Sequence, residues 1–179
     1  MDPTVHPKMP SAMENLERWA KAAIRNERRD TRSIVLTGPT GTGKTTMAKR
    51  VMRYLSETAM DAYCRGWWNR SGVPSGVRIF WPDASDTSPQ QWGELRSECA
   101  RAHWLFLDDI GAETDEFKGK RNVGRLLSIL EERTNMWNII TTNIPSAQWS
   151  EMWDERIDSR LSQFARISLA GFPDYRRKE

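Results

Sequence analysis

The sequence predicts an α/β fold in which a mostly parallel sheet of five strands is flanked by helices. Three observations lead to this prediction. Short apolar runs alternate along the chain with longer segments whose apolar residues repeat at helical spacing. The first run stops at a glycine-rich loop, after which a helix is expected. The third run is apolar throughout, which is typical of a strand buried on both faces of a parallel sheet.

The chain is expected to begin with an irregular arm and one helix ahead of the sheet. The arm, residues 1–10, contains three prolines. Ser11 and Glu14 match a capping box, in which a serine begins a helix and a glutamate three residues later supports it. The apolar residues behind this box predict an amphipathic helix over residues 12–28.

The remainder of the chain is predicted to alternate strands with helices. Strands are expected at residues 33–37, 77–81, 104–107, 138–142 and 166–169. Helices are expected at residues 44–58, 92–102, 123–130 and 157–164. Periodicity gives no strand order. Because the arm and its helix precede the first strand, we expect two units, the arm with its helix in residues 1–30 and the sheet domain in residues 31–179.

Composition and charge restrict the classes of function. The chain of 179 residues suits one domain with a core, and its 27 basic and 24 acidic residues make it mildly basic. The first 70 residues carry a net charge of +6, which suits phosphate or nucleic acid, although a solvated charged helix explains it equally well. Cys64 and Cys99 do not have the spacing of metal ligands or of a disulfide framework. We find no signal peptide or membrane span, so we expect a cytoplasmic protein without a membrane partner.

Residues Gly38 to Thr45 form the pattern G-x-x-x-x-G-K-[ST] between a predicted strand and a predicted helix. Glycines allow backbone N–H groups to surround phosphates, and the helix N-terminus adds its positive dipole end. Lys44 is expected to reach the β- and γ-phosphates of ATP, and the Thr45 hydroxyl to bind Mg²⁺. The guanine-binding motif N-K-x-D is not found, which argues against a GTPase. The residues predicted to hold the nucleotide are Gly38, Pro39, Thr40, Gly41, Thr42, Gly43, Lys44, Thr45 and Thr46.

Two aspartates follow the apolar strand predicted at residues 104–107. Asp108 is placed to hold Mg²⁺, directly or through water. Asp109 is placed to orient or deprotonate an attacking water. Two aspartates at a strand end more often form a solvated turn. Behind the sequence WLFL, in a chain that contains a phosphate loop, we interpret them as functional.

The segments LFLDDIGAE (105–113) and IITTN (139–143) resemble the AAA+ ATPases of the DnaA/DnaC branch, the replication initiators and helicase loaders, and the related IstB transposition helpers. The likeness covers nearly all of the folded chain. It implies an AAA+ fold in which Asp108 is the Mg²⁺-side acid, Asp109 replaces the usual catalytic glutamate, and Asn143 is the sensor that positions the lytic water. Without the resemblance, Asn143 at a strand end is interpreted as a turn former.

The sequence ERIDSRL (155–161) resembles the S-R-[LF] motif in which the family carries an arginine finger that reaches the ATP of the adjacent subunit. The resemblance makes Arg160 the candidate finger, with Arg156 one helical turn earlier as an assisting residue. A guanidinium in this place offsets charge on the transferred phosphoryl group. The alternative is a helix surface on which the arginines form salt bridges with Glu155 and Asp158.

The sequence GFPDYR (171–176) resembles the G-x-x-YR ending of this branch, where an arginine contacts the phosphates as a second sensor. Arg176 matches that position, Arg177 is a close rival, and a frayed basic tail is the alternative. Only 36 residues follow Asn143. The helical lid of larger AAA+ proteins is therefore expected to be absent or vestigial.

Two further segments are candidates for contact with DNA. In residues 67–70 (WWNR), Trp67 and Trp68 beside a basic residue suit stacking on unpaired bases. The alternative is that both tryptophans close the core under a loop. Residues 118–121 (KGKR) suit contact with a DNA backbone, and the alternative there is a solvated loop.

Together with the resemblance, these residues predict an ATP-dependent DNA replication helper that loads or remodels a replicative helicase on single-stranded DNA through an ATP-switched oligomer. An IstB-like helper that delivers a transposase shares the same motifs and remains an alternative. A P-loop kinase of a small molecule or nucleotide is another, although Asn143 has no evident purpose in it. A third alternative binds ATP without hydrolysing it, because Asp109 stands in place of glutamate.

Overall fold

The computed structural model describes residues 9–29, 31–112 and 119–176, with the backbone alone for residues 119–121. Its centre is one sheet with strands β1 Ser33–Thr37, β2 Gly76–Phe80, β3 Trp104–Ile110, β4 Trp137–Thr142 and β5 Ala165–Ser168. All four pairings are parallel, and the strand order is β2-β3-β4-β1-β5. The predicted fold class, a five-stranded parallel α/β sheet, is confirmed.

Helices flank the sheet on both faces. Those in the described residues are α1 Met9–Arg25, α2 Lys44–Cys64, α3 Trp81–Ser85, α4 Pro89–Arg101, α5 Gly119–Glu132, α6 Trp149–Met152 and α7 Glu155–Ser162. A 3-10 turn, Ser146–Gln148, leads into α6. Beyond β5, the described chain continues to Arg176 without another helix. Across the described ranges, none of the helices has both the length and the apolar character that crossing a membrane requires.

The core lies in two layers, one on each face of the sheet. The central strands β1, β3 and β4 bury almost every residue, because parallel strands covered on both faces have no solvent side. α1 and α2 cover one face over a core that includes Leu16, Leu55 and Phe106. α5, α6 and α7 cover the other face with residues such as Leu130 and Trp149. Helix α1 thus shares one core with the sheet.

The predicted start and end of the first helix are wrong. α1 already includes Met9, so Ser11 lies inside the helix and does not begin it. The helix ends at Arg25, and Asn26 takes a left-handed conformation with φ 50°. Asparagine is one of the residues that adopt this conformation just after a helix, so Asn26 was the available signal for its end. α2 continues six residues beyond its predicted end, to Cys64.

Strand β3 differs from its prediction at the aspartates. The sequence predicts an end at Leu107, but the strand continues through Asp108 and Asp109 to Ile110. Its pairing with β4 contains one extra residue between Leu107 and Ile110, and Asp109 takes φ 63°. Such a bulge redirects a side chain without ending the strand. With the extra residue, Ile110 packs in the same core layer as Leu105 and Leu107, and neither aspartate belongs to that layer.

Strand β2 ends one residue earlier than predicted, at Phe80. Trp81 begins the short helix α3, with Pro82 in its first turn. Proline favours the start of a helix and has no N–H to donate to a sheet. Helices α3 and α6 span only five and four residues, too few to show a helical period in the sequence.

Arg133 joins α4, α5 and β4 at a buried point behind the sheet. Its guanidinium donates to the carbonyl oxygens of Cys99 (2.5 Å), Ala102 (2.9 Å) and Trp137 (3.1 Å), and to Asn138 Oδ1 (2.5 Å). Burial lowers the pKa of Arg133 to about 10. Cys99 and Ala102 lie at the end of α4, where a positive charge is favourable.

Replacing Arg133 with alanine is expected to lower the free energy of unfolding by about 3–5 kcal/mol, because four buried acceptors lose their donor. Urea unfolding followed by circular dichroism measures the effect. The control is Arg96→Ala, which removes an exposed ion pair with Glu132 (2.6 Å) between α4 and α5 and is expected to shift the midpoint little. Equal midpoints for the two variants would show that the buried hydrogen bonds do not hold these elements together.

Candidate nucleotide-binding site

The glycine-rich loop connects the end of β1 to the start of α2. Gly43 immediately precedes α2 with φ 90°, a conformation that favours glycine. Gly41 takes φ 84°, and a Cβ atom there would collide with the carboxylate of Asp174. The backbone N–H of Tyr175 donates to the Gly41 carbonyl at 3.0 Å. The chain after β5 therefore braces the loop from outside.

Lys44 is folded back onto its own loop. Its Nζ donates to the carbonyl oxygens of Gly38 (2.7 Å) and Pro39 (2.8 Å) and to Asn143 Oδ1 (2.6 Å). Burial lowers the pKa of Lys44, and the charge of Asp109 opposes this shift. Three oxygen acceptors satisfy the three N–H groups of the ammonium.

Asp108 is the centre of hydrogen bonds that join α2, β2 and β4. It is 1% exposed. Its Oδ1 accepts from the hydroxyls of Thr45 and Thr141, at 2.8 Å each, and its Oδ2 accepts from Arg78 Nη2 at 2.5 Å. Hydroxyl and carboxylate oxygens are ligands that suit Mg²⁺. This ion is commonly held by one or two carboxylates together with phosphates and waters. Thr45 and Asp108 therefore fit the magnesium ion that the sequence predicts.

Asp109 and Asn143 form the other half of the site. The backbone N–H of Asp109 donates to Thr141 Oγ1, and its carboxylate accepts from Asn143 Nδ2, both at 2.8 Å. Burial and then the charge of Asp108 raise the pKa of Asp109, while Lys44 and the bond from Asn143 oppose the rise. The amide of Asn143 thus bridges Lys44 and Asp109.

The loop and these side chains enclose a cavity of about 330 Å³. Its lining residues from the loop are Thr40, Gly41, Gly43, Lys44, Thr45 and Thr46, and the others are Asp109, Asn143, Tyr175 and Arg176. The exposed Arg176 side chain donates from Nε to Asp174 Oδ1 at 3.4 Å. Its rival Arg177 lies outside the described residues. A volume of this order suits a small-molecule site.

The remaining residues of the predicted loop make hydrogen bonds within the loop itself. Thr42 is buried, and its Oγ1 donates to the Pro39 carbonyl at 2.8 Å. The carbonyls of Gly38 and Pro39 accept from Lys44. In this structure these three residues stabilise the loop and are not part of the cavity wall.

Arg156 and Arg160 lie away from this cavity. Arg156 is exposed and pairs with Asp154 at 3.0 Å, so the predicted salt bridges to Glu155 or Asp158 are not the ones that it makes. Arg160 borders a small cleft together with residues 31–33, at the amino end of β1, whereas the phosphate loop follows the carboxyl end of β1. Neither arginine completes the site of its own chain.

Two residues of the site were not predicted from the sequence. Arg78 lies in the middle of β2, within GVRIF, where no motif marks it. Thr141 lies two residues before Asn143, and its hydroxyl contacts both aspartates. A β-strand alternates its faces, so Thr141 was available from its spacing to Asn143, whereas Arg78 required knowledge that β2 pairs with β3.

The structure separates the two tryptophans that were considered for DNA. Trp68 packs edge-on against His103, with ring centroids 5.3 Å apart, and closes the core as in the alternative interpretation. Trp67 is 72% exposed, with the guanidinium of Arg65 5.4 Å from its ring, and remains a candidate. The side chains of residues 118–121 lie outside the described part of the chain.

Comparison with known protein families identifies the broad class. The model of the AAA family, described as the ATPase family associated with various cellular activities, matches residues 34–165. The matched span contains the phosphate loop from Gly38, both aspartates and Asn143. A comparison with curated proteins gives no match.

Solved structures show the same fold at low sequence identity. DnaI is 19% identical with a TM-score of 0.67, over 94% of this chain and 87% of that chain. The DnaC helicase loader is 18% identical with a TM-score of 0.60, over 94% of both chains. AMPPCP-bound DnaA from Aquifex aeolicus is 16% identical with a TM-score of 0.65, over 93% of this chain and 48% of that chain. At these identities the likeness concerns the fold.

Proposed function

The chain belongs to the AAA family of ATPases, and from this premise we propose that it is an ATP-dependent replication helper that loads or remodels a replicative helicase on single-stranded DNA. The family match supports binding and hydrolysis of ATP. The shared fold with a structure described as a helicase loader, over nearly the full length of both chains, favours a replication task. The partner itself is part of the proposal.

One observation carries the ATPase assignment: five side chains converge at the carboxyl end of the sheet. Lys44 contacts Asn143 at 2.6 Å, Asn143 contacts Asp109 at 2.8 Å, and Thr45 contacts Asp108 at 2.8 Å. Lys44, Thr45, Asp109 and Asn143 line one cavity, and the buried Asp108 lies directly behind Thr45, which supports assigning Thr45 and Asp108 to magnesium. Such preorganisation is the main means by which proteins stabilise charge that develops during phosphoryl transfer.

We assign each of these side chains a role that its position supports. Lys44 exchanges its carbonyl acceptors for the oxygens of the β- and γ-phosphates. Thr45 and Asp108 hold Mg²⁺, which when bound neutralises charge on those phosphates. Asp109 orients the attacking water and accepts its proton, a role that its raised pKa favours. Asn143 holds the Asp109 carboxylate and adjusts as Lys44 moves.

The remaining arginines are assigned to different sites. Arg176 lines the cavity, which supports assigning it to the phosphates of ATP bound to the same chain. Arg160, remote from its own cavity, is assigned to the ATP of a neighbouring subunit, with Arg156 assisting. In this scheme ATP brings subunits together, and hydrolysis releases them and their grip on helicase and DNA.

The proposal is tested by the native mass of the protein mixed with the replicative helicase of the same genome, in ATP and in ADP. We expect a defined complex in ATP that dissociates in ADP, and no ATP-dependent complex for Lys44→Ala. If no complex forms in either nucleotide, helicase loading is wrong, and a transposition helper becomes the better proposal. The ATPase assignment does not depend on this outcome.

A further inference from the structure

Asp108 has a resident counter-ion that none of the roles above uses. Within the described part of the chain, Arg78 is the one cation that forms a salt bridge with Asp108, at 2.5 Å. The nearby ammonium of Lys44 is directed to carbonyl oxygens and Asn143 instead. A carboxylate as buried as Asp108 is costly without an opposite charge. Arg78 therefore supplies that charge in this structure.

The salt bridge between Arg78 and Asp108 can break without burying the arginine. Arg78 lies on β2, an edge strand, and its side chain is 41% exposed. In the described residues its side chain makes one hydrogen bond, to Asp108, and its guanidinium also lies 5.7 Å from the ring centre of Phe106. Arg133, by contrast, is buried and makes four hydrogen bonds. Arg78 can leave Asp108 for solvent, whereas Arg133 has no such route.

The pairing of β2 with β3 explains why this arginine reaches the site. Arg78 is directly opposite Phe106, and Phe80 is opposite Asp108. The long side chain of Arg78 therefore extends along the sheet over Phe106 to reach the carboxylate. It approaches Oδ2, while Oδ1 is taken by the hydroxyls of Thr45 and Thr141. Oδ1, which contacts Thr45, is therefore the oxygen on the metal side, and Arg78 at Oδ2 offsets the negative charge that the same carboxylate offers to a metal.

We propose that Arg78 competes with Mg²⁺ for Asp108 and thereby sets the magnesium concentration that the nucleotide site requires. The inference rests on the proposed role of Asp108 as the metal-side acid. A divalent ion and a guanidinium repel each other at one partly desolvated carboxylate, so metal binding includes the displacement of Arg78. In the absence of metal, the positive charge of Arg78 balances the negative charge of Asp108.

The first test compares Arg78→Gln with Arg78→Lys. Glutamine keeps an N–H donor without the charge, and lysine keeps the charge. We expect Arg78→Gln to lower by about tenfold the Mg²⁺ concentration that half-saturates binding of a fluorescent ATP analogue. Mg²⁺ alone is expected to raise the unfolding midpoint of Arg78→Gln and not that of the unchanged protein. Arg78→Lys and the remote Arg53→Gln are expected to behave like the unchanged protein.

Asp108→Asn separates the two assignments. If this variant leaves the magnesium dependence of nucleotide binding unchanged, Asp108 is not the metal-side acid and the proposed site is wrong. If it weakens that dependence while Arg78→Gln leaves the half-saturating concentration unchanged, the metal assignment stands and the competition is overturned.

A measurement on the unchanged protein removes any dependence on how the variants fold. The Nη2–H signal of Arg78 in NMR, assigned by its absence from Arg78→Lys, is expected to exchange faster with solvent in Mg²⁺ and ADP than in EDTA and ADP. Equal exchange in the two conditions overturns the proposal, because Arg78 then stays in place when the metal is present.

Discussion

Replacing Lys44 with alanine is expected to lower ATP turnover by about 10³-fold or more and to weaken nucleotide binding at the same time. Lys44 is the one cation of the phosphate loop, and its three N–H groups are aimed at oxygen atoms inside the site. Without it, the phosphate charge lacks its nearest counter-ion in the loop. Phosphate release measures turnover, and a fluorescent ATP analogue measures binding.

The control for this variant is Lys49→Ala, which removes an exposed lysine from the same helix. Lys49→Ala is expected to keep both activities. Unfolding midpoints of both variants separate a loss of function from a loss of fold. Wild-type turnover by a folded Lys44→Ala protein would falsify the assignment of the loop to catalysis.

The replacement of Arg160 by alanine is expected to leave ATP binding intact and to lower turnover by about 10³-fold, within the range seen for arginine fingers. The physical reason is distance: Arg160 lies at the amino end of β1, opposite the end that carries the phosphate loop, so it does not contribute to binding within its own chain. Its guanidinium acts only when a neighbouring subunit presents its site. Binding and turnover are measured by the same two assays as for Lys44.

A mixing experiment tests whether the finger acts between subunits. Arg160→Ala keeps an intact phosphate loop, and Lys44→Ala keeps an intact finger. When the two inactive proteins are mixed, sites form that combine the loop of one with the finger of the other, and part of the turnover is expected to return. If no activity returns from proteins shown to co-assemble, Arg160 acts within its own chain or has no catalytic role.

The phosphate loop was predictable because its chemistry is local. The glycines, Lys44 and Thr45 are consecutive or nearly so, and the strand and helix on either side follow from apolar pattern alone. Asp108 was predictable for a similar reason, since it directly follows an apolar strand. Apolar periodicity can be recognised without knowledge of tertiary contacts, and so can these residues.

Contacts between distant strands were not predictable in the same way. Arg78 reaches Asp108 because β2 pairs with β3 in one register, which no local pattern in GVRIF encodes. The bulge that contains Asp109, whose carboxylate contacts Asn143, depends on pairing with β4. Ser11 shows the opposite failure. The local capping pattern is present, but Met9 and the residues after it already lie in the helix, which packs against α2.

The bracing of the phosphate loop by Asp174 and Tyr175 has a consequence for how the protein is handled. A dye attached to residue 176 lies beside the nucleotide cavity, next to the hydrogen bond between Tyr175 and Gly41. Assays of the unmodified activity therefore require residue 176 to be left unlabelled. The same closeness makes position 176 a suitable attachment point for an environment-sensitive fluorophore that reports when the cavity fills.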